Sequence, residues 1–319
     1  MGKWGRATLT ATLFLAAVPA GLAEELDSPA FTASFGARYW LSSGRTSWNH
    51  DATSAWALYG NPTSVLTYDD LTGHSGELFF DITHETNWFV KGYVGLGGIT
   101  AGSLDDEDFY TGQVKFSDTF SQVSGGSLRY ASLDLGHDIY EDADRGLKVR
   151  AFLGYHYWNE NVPAYGIQCN PDDVAGFFCG APGSVPVPFS TKVITNDATW
   201  HSLRLGIGAE ANLAERWSIS GEAAFIPYAS MANRDSHHLR ADLGPTPNIR
   251  HSGTGIGVQL EAFVNYSVTP MWTVGLGARY WHLSATGDTR FGPGFAAAYP
   301  LNDFTSERYG LLLQTKLRF

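Results

Sequence analysis

Eleven residues, from Tyr309 to Phe319, restrict the fold more than any other stretch. Tyr309, Leu311, Leu313, Thr315, Leu317 and Phe319 share one side of an extended strand, and Gly310, Leu312, Gln314, Lys316 and Arg318 share the other. A strand places successive side chains on opposite faces. One face of this segment is therefore apolar and the other mostly polar. The same two-residue period recurs upstream. Phe31, Ala33, Phe35, Ala37, Tyr39 and Leu41 alternate with Thr32, Ser34, Gly36, Arg38 and Trp40. It returns at Leu147 to Gly154, at Ser202 to Ala211 and at Ile256 to Val264. No helical period competes with it over these segments. The polar faces carry Arg38, Arg150, Arg204, Glu210, Glu222, Glu261 and Arg279. In a closed barrel these mixed charges are expected to face a lumen and pair there.

The amino-terminal segment agrees with export. Lys3 and Arg6 precede an uncharged run from Ala7 to Val18, and Gly21 and Ala23 supply small residues at a cleavage site. This reads as a signal peptide over 1–23, leaving one barrel domain over 24–319. No later run of 18 apolar residues offers a transmembrane helix. The chain has 36 glycines and 14% aromatic residues, a composition that suits barrel strands with aromatic girdles. With its aromatic last residue, the closing segment resembles the final strand of bacterial outer-membrane β-barrels. A net charge of −11 disfavours nucleic acid as a partner. Cys169 and Cys179 show neither a redox C-x-x-C nor a zinc-finger spacing, and in an oxidising compartment they are expected to form one disulfide that pins a loop.

Ten strands are predicted, over 30–46, 63–84, 87–104, 124–140, 146–162, 197–212, 216–232, 252–267, 271–287 and 304–319. Tight turns (Thr83 to Asn87, Glu141 to Arg145, Leu213 to Arg216 and Ser267 to Met271) alternate with long connections (45–62, 104–125, 162–196, 232–252 and 287–304). The expected fold is all-β: a monomeric, ten-stranded antiparallel transmembrane β-barrel with short periplasmic turns and long extracellular loops. Ten strands make too narrow a barrel for a general diffusion pore.

Two of the long connections open on groups that carry chemistry. Asp105, Asp106, Glu107 and Asp108 follow the third strand, and Asn233, Arg234, Asp235, Ser236, His237 and His238 follow the seventh. If the strands continue, Asp106 shares a face with Asp108, and Asp235 with His237. A carboxylate beside an imidazole orients it and favours its cationic form, which suits a general base. A water held between His237 and the Asp106/Asp108 pair would be the nucleophile. The same three acids and one imidazole also form a possible divalent-cation set. A covalent route has no support, because no G-x-S-x-G occurs. The other histidines (His50, His74, His84, His137, His156, His201, His251 and His282) are read as turn, girdle or lumen residues.

The order of elements, with an Asp-x-Asp pair after the third strand and an Asp-x-His pair after the seventh, resembles the omptins, ten-stranded outer-membrane proteases. Local echoes are the run Leu41 to Thr46, the pair Gly154 and Tyr155, and the run Tyr266 to Pro270. The resemblance implies catalytic roles for Asp106, Asp108, Asp235 and His237. It also implies endopeptidase activity on exposed polypeptides at the cell surface, often next to basic residues, and a requirement for bound lipopolysaccharide; no other cofactor and no metal is expected. The chain departs from the family at Phe109, where a Trp usually follows the acid pair, and at Asn233 and Trp48, near acidic positions that bind a basic substrate side chain. It departs again at Tyr157 and Asn159, on the stretch that grips lipid phosphates. The competing expectation is a non-enzymatic barrel, an adhesin or a structural porin-like protein.

Overall fold

The computed structural model describes residues 30–170 and 179–319. The expected signal peptide over 1–23 and the tip of the cysteine loop lie outside the described residues. Eleven antiparallel strands follow in order: β1 (Phe31–His50), β2 (Ser64–His84), β3 (Trp88–Tyr110), β4 (Val114–Val123), β5 (Gly126–Asp142), β6 (Leu147–Cys169), β7 (Val187–Ala214), β8 (Trp217–His237), β9 (Ile249–Ser267), β10 (Trp272–Phe291) and β11 (Ala298–Arg318). β1 pairs with β2 on one side and with β11 on the other, with Ala37 opposite Thr315 and Leu41 opposite Leu311. The sheet is therefore a closed ring.

The ring has ten staves, because β4 and β5 are two parts of one. β3 pairs with β5 from Trp88 to Ile99 and with β4 from Ser103 to Tyr110. The stave breaks at Ser124 and Gly125, where Gly125 takes φ +73°, a left-handed conformation that costs glycine little. The eleventh strand thus comes from an interruption.

The connections need a larger correction. The four tight turns stand where expected, all at one end of the barrel. The opposite, loop end is mostly strand. Residues 104–125, expected as a loop, form the top of β3, a three-residue turn and β4. β6 runs on to Cys169, β7 begins at Val187, and β8 runs to His237. A closed hydrogen-bonded ring sustains strand pairing with no apolar face to announce it, so the sequence signal fades where the staves leave the lipid. At about 3.3 Å per residue, strands of 20 to 28 residues are roughly twice the nine to eleven that cross a bilayer.

The outward apolar belt marks the crossing. Phe31, Trp88, Trp217, Trp272 and Phe319 are exposed at the turn end, and Tyr39, Tyr155, Tyr228 and Tyr309 are exposed about ten residues further along their staves. These are the two aromatic girdles of a transmembrane barrel. The closing strand behaves as its alternation predicts: Leu311, Leu313, Leu317 and Phe319 are exposed outside, while Leu312 and Gln314 are buried inside.

Between the girdles the lumen holds paired charges. Glu77 accepts from Arg38 at 2.8 Å and from Arg279 at 2.7 Å, and Glu261 also pairs with Arg279. A second group joins Lys91, Arg204, Glu222 and Asp134, and a third joins Arg150, Lys148, Asp81 and Asp138. Glu210 lines the cavity on this side. Trp40, Tyr130, Trp158 and Trp281 cap the charged layer, with ring centroids 4.9 to 5.8 Å apart. Gly95 makes room for this cap, since a Cβ there would stand 2.1 Å from the Tyr130 ring. Above it Arg308 lies buried between Gly44 and Gly73 and donates to Glu160 at 2.6 Å.

Glu77→Ala would leave two buried guanidinium groups sharing Glu261 alone. Removing one partner of a buried charge pair costs about 3–5 kcal/mol. Urea unfolding in detergent, followed by tryptophan fluorescence, should show a loss at the lower end of that range.

Candidate active site

The upper part of β3 inherits its facing from Leu104, which is fully buried inside the barrel. Two-residue periodicity then turns Asp106 and Asp108 inward, and Asp105 and Glu107 the other way. The contacts agree. Asp105 accepts from Asn170 at 3.4 Å and Glu107 pairs with Lys115, both beside β4. The charges acting on Asp106 are Asp108, His237, Asp235 and Arg240. Asp106 stands opposite Leu66 of β2 and Thr119 of β4, and Asp108 opposite Ser64 and Ser117.

On β8, Asn233 and Asp235 are buried inside the ring, and His237 is the last residue of the strand. His237 Nε2 lies 3.2 Å from Asp235 Oδ2, and the imidazole is 14% exposed. His238, the next residue, instead meets Thr195 Oγ1 at 3.0 Å on the outside. Asp106, Asp108, Asp235 and His237 thus share one electrostatic neighbourhood.

Burial pushes the Asp106 carboxyl up to about 7, with the Asp108 charge adding and His237 opposing. Burial likewise raises Asp108, against a hydrogen bond from Ser64. For His237 burial disfavours the cation, but the charge and hydrogen bond of Asp235, with Asp106 behind them, outweigh it and hold the imidazole above its ordinary value. Desolvation and a paired carboxylate thus pull this imidazole in opposite directions, and the carboxylate prevails. Among the described residues, no three His, Cys, Asp or Glu side chains converge on a point that a metal ion could occupy.

Several neighbours carry no sequence signal of their own. Asn248 is fully buried, accepts the His237 N–H at 2.9 Å and returns Nδ2 to the His237 carbonyl at 3.0 Å. It comes at the end of a Gly/Pro-rich loop, where strand periodicity has stopped. Asn233 donates to Asn196 at 2.6 Å and meets His251 Nδ1 at 3.0 Å. Trp48 packs on His251 with centroids 4.2 Å apart, and His50 lies against Trp48. Burial lowers His50 to about 4 and takes His251 well below its usual value, so this wall is neutral at physiological pH. Both histidines were expected as turn, girdle or lumen residues; extending the strand alternation upward would have placed them inside. Tyr68 is fully buried nearby, and its phenol is held neutral by burial and by the Asp235 and Asp106 charges. Cys169 and Cys179 form the expected disulfide, and Asn170 beside it donates to Asp118 at 2.5 Å.

The closed ring, the apolar belt and the charged lumen define a membrane-spanning β-barrel of the bacterial outer-membrane class. Residues 42–303 match the family model described as "Pom: Protochlamydia outer membrane protein", and the chain belongs to that family. No curated protein matches it. Among solved structures it is similar to the outer membrane protease OmpT from Escherichia coli, with 12% identity over 92% of this chain and 99% of that one, at a TM-score of 0.66. It is also similar to the attachment invasion locus protein Ail of Yersinia pestis (10% identity, 91% and 99% covered, TM-score 0.32) and to OprG from Pseudomonas aeruginosa (9% identity, 91% and 96% covered, TM-score 0.32). At these identities the likeness is one of fold.

An acid whose folded pKa exceeds its unfolded value costs stability as pH rises from the unfolded value to the folded one. For Asp106 that window runs from 3.8 to about 7. Asp106→Asn should therefore match the parent below pH 4 and be the more stable barrel above pH 7. Allowing for solvent screening at the mouth, the gain is on the order of 1–2 kcal/mol. Urea midpoints measured across pH test this.

Proposed function

We propose that this barrel is an outer-membrane endopeptidase whose site lies at the loop end, facing outside the cell. The observation that carries the reading is the buried Asp235–His237 couple, set within electrostatic reach of two inward carboxylates, Asp106 and Asp108, whose ionisation burial opposes. In this reading a water held by Asp106 and Asp108 gives its proton to His237 as its oxygen attacks a peptide carbonyl. Asp235 steadies the imidazolium, which returns the proton to the departing amine. The base must be neutral to act. Cleavage should thus increase with pH as His237, held above the ordinary histidine range, loses its proton.

Asn233 replaces the carboxylate that would pair with a basic substrate side chain, and its amide is engaged with Asn196 and His251. With the neutral wall of Trp48, His50 and His251, this favours an uncharged residue at the cut. The closed ring leaves no strand edge for another copy, which supports a monomer. Lipopolysaccharide is proposed as a partner of the outer face, and no metal or cofactor is required.

The test is cleavage of a peptide library by barrel refolded with and without lipopolysaccharide. His237→Ala should lower turnover at least about 1,000-fold while leaving the folded band shift intact, and EDTA should leave activity unchanged. Equal cleavage by both proteins removes His237 as the base. Absence of cleavage by the unsubstituted barrel favours a non-enzymatic adhesin or structural role.

A further inference from the structure

Attack on a carbonyl creates a negative oxygen, and the proposed site is already rich in acids. A preorganised cation or donor at that oxygen is commonly the largest contribution to such a reaction. Arg240 is a guanidinium whose charge acts on Asp106, Asp108 and His237 alike. It lies three residues past His237, at the start of a single helical turn from Ala241 to Leu243.

The loop holds it in place. The Arg240 N–H donates to the His237 carbonyl at 3.2 Å. Asn248 bonds that same carbonyl and reaches the Arg240 carbonyl at 3.5 Å, which ties the loop to the base. Asp242 fixes the guanidinium plane, accepting Nε at 2.9 Å and Nη2 at 2.7 Å. Such a two-point fork sets orientation as well as attraction. It leaves Nη1 without a partner among the described residues, on a side chain 55% exposed and so open to a ligand entering from the mouth.

Resting on the proposed hydrolysis, we infer that Arg240 is a further catalytic residue, whose Nη1 donates to the oxygen of the scissile carbonyl. As the water oxygen bonds the carbonyl carbon, His237 accepts the water proton and the π pair moves onto the carbonyl oxygen beside Nη1. On collapse that pair re-forms the C=O bond, the C–N bond breaks, and the amine leaves with the proton from His237. Asp242 is the positioning residue that holds Nε and Nη2 and leaves Nη1 free to donate.

The experiment compares the full-length barrel with Arg240→Gln, Arg240→Lys and Arg240→Ala on a peptide that the parent cleaves, with folding followed by band shift. Arg240→Gln should lower kcat about 100-fold and change KM by less than about threefold. Arg240→Lys should recover part of that loss, and added guanidinium ion should raise kcat of Arg240→Ala but not of the parent. Unchanged kcat in Arg240→Gln, a loss confined to KM, or a loss that neither lysine nor guanidinium relieves overturns the assignment while leaving the hydrolytic reading intact. Absence of cleavage by the parent overturns both.

Discussion

Pairing of β1 with β11 is the constraint on which everything else depends. In lipid an unpaired backbone N–H or C=O has no water to turn to, so a sheet crosses a bilayer only as a ring without edges. Closing the ring with ten staves leaves an interior too wide to fill with aliphatic side chains alone and too narrow for an open channel. The chain fills it in layers. Paired arginines and carboxylates sit between the girdles, four aromatic rings cap them, and the Arg308–Glu160 pair lies above the cap.

The same layering explains the position of the candidate site. Chemistry on a large substrate needs an open approach, and the aromatic cap of Trp40, Tyr130, Trp158 and Trp281 separates the charged lumen from the loop end. The staves run on well past the upper girdle, and there the inward faces change from saturated ion pairs to groups with incomplete partners. Asp235 is the clearest case, because Oδ2 meets His237 while Oδ1 is buried without a hydrogen bond among the described residues. Near this rim burial raises Asp106, and β3 and β8 bring their paired residues there from opposite sides of the ring.

Much of the barrel was legible because lipid imposes a repeating rule. The four tight turns, the inward Arg38, Arg204, Glu222, Glu261 and Arg279, and the outward face of the last strand all follow from two-residue periodicity with one apolar face. The rule weakens above the membrane, where either face may be polar. That is why 104–125 read as a loop rather than as strand, turn and strand, and why His50 and His251 were read only as turn, girdle or lumen residues. Asp106, Asp108, Asp235 and His237 stood out as candidates because each pair is spaced by two, the period of the strand itself. Asn248 and Arg240 carried no such spacing, since their places depend on how one loop folds back on His237.

Sequence by itself determined the class of fold, the two faces of the staves that alternate clearly, the disulfide partners and the spacing of the four candidate site residues. These are local consequences of side-chain alternation and residue chemistry. Tertiary structure alone decided that β4 and β5 form one stave, that Asp106 rather than Asp105 shares the field of His237, and that the wall beside them is a neutral stack of Trp48, His251 and His50. Each of these depends on register and burial across strands far apart in the chain, where the free energy of ionisation is set by what the closed ring places next to a group.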